Sequence, residues 1–162
     1  MRIQVTDEQL AAPIQKMLAR HSCGNPAEPN LNFQFALEHC DGPAQTVCYQ
    51  VHTYPWMTNP NHVVHGGVIA AMLDSAMGLL CAGLYDAMTP TITMTINYAL
   101  PVPLDEDIMI RVRAFGTART SAQITGEIYL PGDPGTILVS AMGVYHTAHT
   151  NRPDRKRLSE VL

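Results

Sequence analysis

The stretch HVVHGGVIAAMLDSAMGLLCAGLY, residues 62–85, limits what this chain can fold into more than any other, because Asp74 is its only charged residue when histidine is counted neutral. Its two adjacent glycines, Gly66 and Gly67, predict a helix start near Val64 to Gly67. Beyond them the helix is apolar on almost every side, and such a helix needs covering on every side. A bilayer is one cover, but the run from Gly67 to Tyr85 is rich in Ala and Gly. A central Asp also costs roughly 3 kcal/mol on insertion scales. The segments on either side alternate like strands of a soluble sheet, so no membrane is expected. The simplest cover is a strongly curved antiparallel sheet wrapped around the helix, an α+β reading.

The 162 residues suffice for one sizeable core. TDEQLAAPIQKMLAR predicts a short amphipathic helix, with Thr6 as N-cap, Gln9 three residues on, and Leu10, Ile14, Met17 and Leu18 on one face. HSCGNPAEPN reads as an irregular connector. From Leu31 the period changes to two, and LNFQFALEH and AQTVCYQVH around the turn signal DGP predict a hairpin. After the long helix come TPTITMTINYALPV, EDIMIRVRAFGTA, SAQITGEIYLP and TILVSAMGVYHTA. Their short connections predict an antiparallel meander. The division expected is an N-terminal helix and connector over 1–30, the sheet-and-helix domain over 31–148, and a solvated C-terminal tail over 149–162. Sheet edges left open would favour a partner chain.

A net charge of -4 and a pI near 5.9 give no general attraction for nucleic acid. Cys23, Cys40, Cys48 and Cys81 share no metal-ligand spacing, and the charged N-terminus MRIQVTDEQL is unlike a signal peptide, so a cytoplasmic chain with reduced thiols is expected.

An ionised carboxylate inside an apolar segment is costly unless it is paired, hydrogen-bonded or open to a cleft. Asp74 is therefore either a structural group capped by hydroxyls such as Ser75 or part of a site. Gly66 and Gly67 allow close approach to a helix start whose amides lack partners, which suits a carbonyl oxygen gaining negative charge. Close helix–sheet packing is the plainer use of such a pair. Asp74 lies eight residues after Gly66, about 12 Å along a helix axis. If both serve one reaction, the Asp must come from a second copy whose helix runs antiparallel nearby, as two-fold symmetry allows. Upstream, Asn59, Asn61, His62 and His65 form a polar loop, where turn-capping competes with function. No carboxylate or cysteine accompanies the two histidines at ligand spacing, so no metal site is expected.

NPNHVVHGGVIAAMLDSAMG resembles the hotdog-fold acyl-CoA thioesterases of the phenylacetate-pathway type, in which an Asn precedes a His-Gly-Gly that opens the central helix, with an acidic residue inside it. SCGNPAEPNLNFQF and TITMTINYALPVP extend the likeness. The resemblance implies a hotdog fold over about residues 30–148, a curved antiparallel sheet around a long central helix. It also implies an acyl-CoA substrate, with coenzyme A as part of that substrate and no separate cofactor. The Gly66 amide would polarise the thioester carbonyl, with Gly67 giving room. His65 and Asn59 would orient that carbonyl or the attacking water. Asp74 of the partner chain would be general base or nucleophile, and Thr91, with Thr93 as substitute, would hold water. Arg119 and Thr120, at a turn between two strands, are candidates for a phosphate of coenzyme A, with Arg152, Arg155, Lys156 and Arg157 of the tail behind them. Tyr54, Trp56 and Met57 are candidates for lining the acyl pocket, and Met72, Met77, Leu79 and Leu80 for either its wall or the core. A homodimer or a dimer of dimers is implied.

Two other classes compete. NPNH echoes part of the Asp-x-Asn-Pro-x-His pattern of hotdog enoyl-CoA hydratases and dehydratases, but Met57 stands where the Asp would be and cannot carry a proton. A non-catalytic acyl-CoA binder would keep the tunnel without turnover. No Gly-x-Ser-x-Gly elbow is present for a serine-hydrolase route.

Overall fold

The computed structural model describes residues 4–22 and 32–148. The expected connector begins two residues late, because α1 runs on through His21 and Ser22; the rest of it, with the Cys23-Gly24 and Asn25-Pro26 leader, and the tail with its four cations lie outside the described residues. The elements are α1 (Asp7–Ser22), β1 (Ala36–Asp41), β2 (Thr46–His52), a 3-10 turn (Pro55–Met57), α2 (Gly66–Tyr85), β3 (Thr91–Tyr98), β4 (Asp107–Thr117), β5 (Ser121–Tyr129) and β6 (Val139–His146).

The first helix begins as its sequence predicts. The Gln9 amide donates to Thr6 Oγ1 at 3.2 Å and the Thr6 amide to Gln9 Oε1 at 2.9 Å, a reciprocal capping pair. Leu10, Ile14 and Met17 form its buried face. That face seats against α2 at Gly83, where an added Cβ would come within 2.9 Å of Ile14.

The six strands form one antiparallel sheet in the order β1-β2-β4-β5-β6-β3. Here the meander expectation needs correction. Of the four strands after α2, only β4, β5 and β6 follow one another as neighbours; β3 pairs with β6 at one edge, and the chain returns from it to lay β4 beside β2. The returning segment, residues 99–106, crosses the start of α2 and is pinned on the way. Val64 donates to the Val102 carbonyl at 2.9 Å, and the Thr53 hydroxyl reaches the carbonyls of Pro103 and Glu106. An antiparallel neighbour would leave no chain to close that end of the helix.

The core lies between sheet and helix, with Met72, Leu73, Met77 and Leu80 of α2 fully buried against Ile108, Ile110 and Ile124. Although α2 is long and apolar enough to span a bilayer, most of it is buried inside the fold. Its covering is incomplete. Ala70, Ala71, Asp74, Ser75 and Gly78 form a half-buried stripe, so the expectation of cover on every side holds only in part. The small side chains tolerate that stripe because they leave little apolar area in water.

Candidate active site

The loop before α2 is held by its own polar groups. Asn59 Oδ1 accepts the amides of Asn61 at 2.8 Å and Val63 at 3.4 Å, while the Asn59 amide donates to the Val63 carbonyl at 2.9 Å. His62 takes a positive φ of 59° within this turn. The His65 amide then donates to the Met57 carbonyl at 2.7 Å, fixing the entry to the helix. Asn59 thus has the turn-capping role, which leaves its Nδ2 group for another acceptor.

His65 is the N-cap of α2, and its Nδ1 accepts the Gly67 amide at 2.9 Å. An imidazole that accepts through Nδ1 is neutral, with its proton on Nε2. The Gly67 amide is thereby occupied. The Gly66 amide meets no acceptor among the described residues, so it is the donor the helix start offers. On the other side of the same peptide, the Tyr98 hydroxyl donates to the Gly66 carbonyl at 3.0 Å. The Gly66–Gly67 peptide is held at both ends by side chains, one from the cap and one from β3.

Asp74 sits two turns further along and is half-buried. Its Oδ1 accepts the Thr91 hydroxyl at 2.7 Å and the Tyr145 hydroxyl at 3.1 Å. Burial first, and the Asp74 charge second, hold the Tyr145 hydroxyl far above the ordinary tyrosine range, so it stays a donor. Ser75 does not cap Asp74, because its hydroxyl turns back to the Ala71 carbonyl at 2.7 Å. Thr91 and Tyr145 are register partners across β3 and β6, while Thr93 pairs with Val144. The irregularity between Thr91 and Thr93 places them on opposite faces, so Thr91 alone of the two reaches Asp74.

Within one chain, then, the structure brings Thr91 and Tyr145 to Asp74, and His65, Gly67 and Tyr98 to Gly66. It does not bring Asp74 to Gly66, because both lie on one continuous helix eight residues apart, about 12 Å. Tyr145 and Tyr98 are the residues the sequence left unmarked. Their signal is register, which a lone sequence does not display.

Arg119 and Thr120 form the exposed tip between β4 and β5, closed by the Ala118 amide on the Ser121 carbonyl at 2.8 Å. The Thr147 amide donates to the Thr120 carbonyl at 2.9 Å, which ties this tip to the same end of the sheet as Thr91 and Tyr145. Met57 is a fully buried side chain of the core. Trp56 is 53% exposed and stacked on Phe33, and Tyr54 donates to Gln34 Oε1 at 3.2 Å.

A curved six-stranded antiparallel sheet packed around one long helix is the hotdog fold. The sequence model of the thioesterase superfamily matches residues 61–136, from the polar loop through β5. The fold is shared with the PaaI protein of the E. coli phenylacetic acid degradation operon (TM-score 0.73, 13% identity, covering 88% of this chain and 95% of that one). It is shared with zebrafish thioesterase superfamily member 2 (TM-score 0.71, 17% identity, 88% and 98%). A Streptococcus mutans UA159 protein bound to acetyl CoA also matches (TM-score 0.62, 18% identity, 69% and 86%).

Proposed function

We propose that the protein is a dimeric acyl-CoA thioesterase whose site is completed between two chains, with Asp74 of one facing the Gly66 amide of the other. One observation carries this reading: β3 touches both halves of the site from its two ends. Thr91, at its start, holds Asp74, and Tyr98, at its end, holds the Gly66 carbonyl. If β3 pairs antiparallel with its own copy about a two-fold axis near mid-strand, the start of one lies beside the end of the other. That pairing sets Asp74 of each chain against Gly66 of its partner. The acetyl CoA in the S. mutans protein and the superfamily match support an acyl-CoA substrate.

In this reading a water gives a proton to Asp74, and its oxygen attacks the thioester carbon. The carbonyl electron pair moves to oxygen, where the partner's Gly66 amide and the positive end of α2 stabilise it. Collapse expels the thiolate of coenzyme A, which takes the proton back and leaves free acid and thiol. The base contributes about 10² to 10⁴-fold and each oxyanion donor about 10² to 10³-fold, enough for an activated ester. Arg119 and Thr120 are assigned to the coenzyme A phosphates.

The test is complementation. Asp74→Asn removes the base. Gly66→Pro removes the amide at the first helical position, where proline is well accepted, and His65 has the extended ψ of 134° that precedes proline comfortably. Each variant alone is expected to lose turnover on a panel of aryl and straight-chain acyl-CoAs. Mixed and refolded together, they should regain about a quarter of wild-type activity, because half the dimers carry one intact site. No recovery refutes the shared site, and binding without hydrolysis by wild type indicates a carrier.

A further inference from the structure

We propose that Tyr145 is a positioning residue for Asp74, saturating Oδ1 together with Thr91 so that Oδ2 is the oxygen that reacts. The assignment deepens the thioesterase reading and rests on it for its meaning in catalysis. A carboxylate oxygen has two lone-pair sites. Oδ1 has both filled, by Thr91 at 2.7 Å and Tyr145 at 3.1 Å, while Oδ2 receives no donor among the described residues. The Tyr145 hydroxyl also lies 3.2 Å from the main-chain carbonyl of Asp74, so it spans the residue's backbone and side chain.

Tyr145 is built to stay where it is. Its side chain is 1% exposed, and its ring lies over two glycines. An added Cβ at Gly143 would come within 2.8 Å of ring atom Cε2, and one at Gly78 within 3.8 Å of Cε1. A ring so confined aims its hydroxyl without losing side-chain freedom at each turnover. Hydrogen bonds to a carboxylate favour its charged form, and removing one weakens that preference. Among the described residues, the titratable group beside the Asp74–Tyr145 pair is Cys81 on α2, whose thiol burial pushes up to about 11; β3 contributes the neutral Thr91.

The experiment replaces the hydroxyl and keeps the ring. In Tyr145→Phe, carboxyl-carbon NMR should show the Asp74 transition moved to higher pH, and the acid limb of kcat/KM should move up with it. Incorporating 3-fluorotyrosine at position 145, a more acidic donor, should move both in the opposite direction. An Asp74 midpoint that stays fixed in both proteins, while Asp74→Asn abolishes hydrolysis, overturns the proposal and leaves the thioesterase reading standing. Shifted midpoints in a protein that hydrolyses no acyl-CoA support the positioning role and remove the thioesterase reading instead.

Discussion

The two edges of the sheet are built on opposite plans. β1 is six residues long, has a register irregularity between Leu37 and His39, and carries Glu38, His39 and Asp41. The start of α1 leans on it: Asp7 Oδ1 accepts the Gly42 amide at 2.7 Å, and the Cys40 thiol points to the Asp7 carbonyl. β3, at the far edge, reads TITMTINY without a charge. Ile92 is 57% exposed and Tyr98 50%, with Met142 of β6 exposed beside them. Charges, bulges and covering segments are how sheets block unwanted pairing. One edge has all three. Among the described residues the other has a bulge alone, set at its very start, and leaves a long neutral stretch open. A second chain is therefore expected along β3 and not along β1.

Thr95 sits mid-strand on the outward face, opposite Met142. Thr95→Lys would bring like charges together across the proposed two-fold axis, so sedimentation should report monomers, with hydrolysis down by at least about 100-fold as the proposed shared site comes apart. Retained dimers with full activity would erase the contrast between the edges. The next effect is on the closed edge. A Cβ on Gly42 would fall against the carbonyl carbon and oxygen of Thr6, which are backbone and cannot step aside. Gly42→Ala should therefore destabilise by about 2 to 3 kcal/mol in denaturant unfolding while leaving the dimer constant alone. Thr6→Ala, which removes one half of the capping pair, should cost about 1 kcal/mol in the same measurement. Smallest of all, Glu38→Lys on β1 should stay within about 0.5 kcal/mol and change neither assembly nor turnover.

What could be read from the sequence was what short-range chemistry decides. Thr6 and Gln9 are three residues apart and meet across one helical turn, so their pairing needs nothing from the rest of the chain. The strands announced themselves by alternation, and the long helix by its glycines and apolar length. Strand order was hidden, because it depends on how residues 99–106 cross the helix start, and a short connection looks the same whether it turns back or crosses over. Asp74 was conspicuous as a charge out of place. Its partners were not, since Thr91 lies 17 residues away and Tyr145 lies 71. Ser75, the adjacent hydroxyl, was the natural guess and faces its own helix instead. Choosing between Thr91 and Thr93 needed a bulge that alternation alone does not reveal.

That bulge makes Ile92 a phase shift in β3. Threonines on either side of it belong to different surfaces of the sheet, and every later side chain, Tyr98 included, takes its facing from the count it sets. Replacing Ile92 by another residue leaves the count intact, whereas losing or gaining one residue there reverses everything downstream. Over evolutionary time this strand should therefore drift in composition while its length stays frozen.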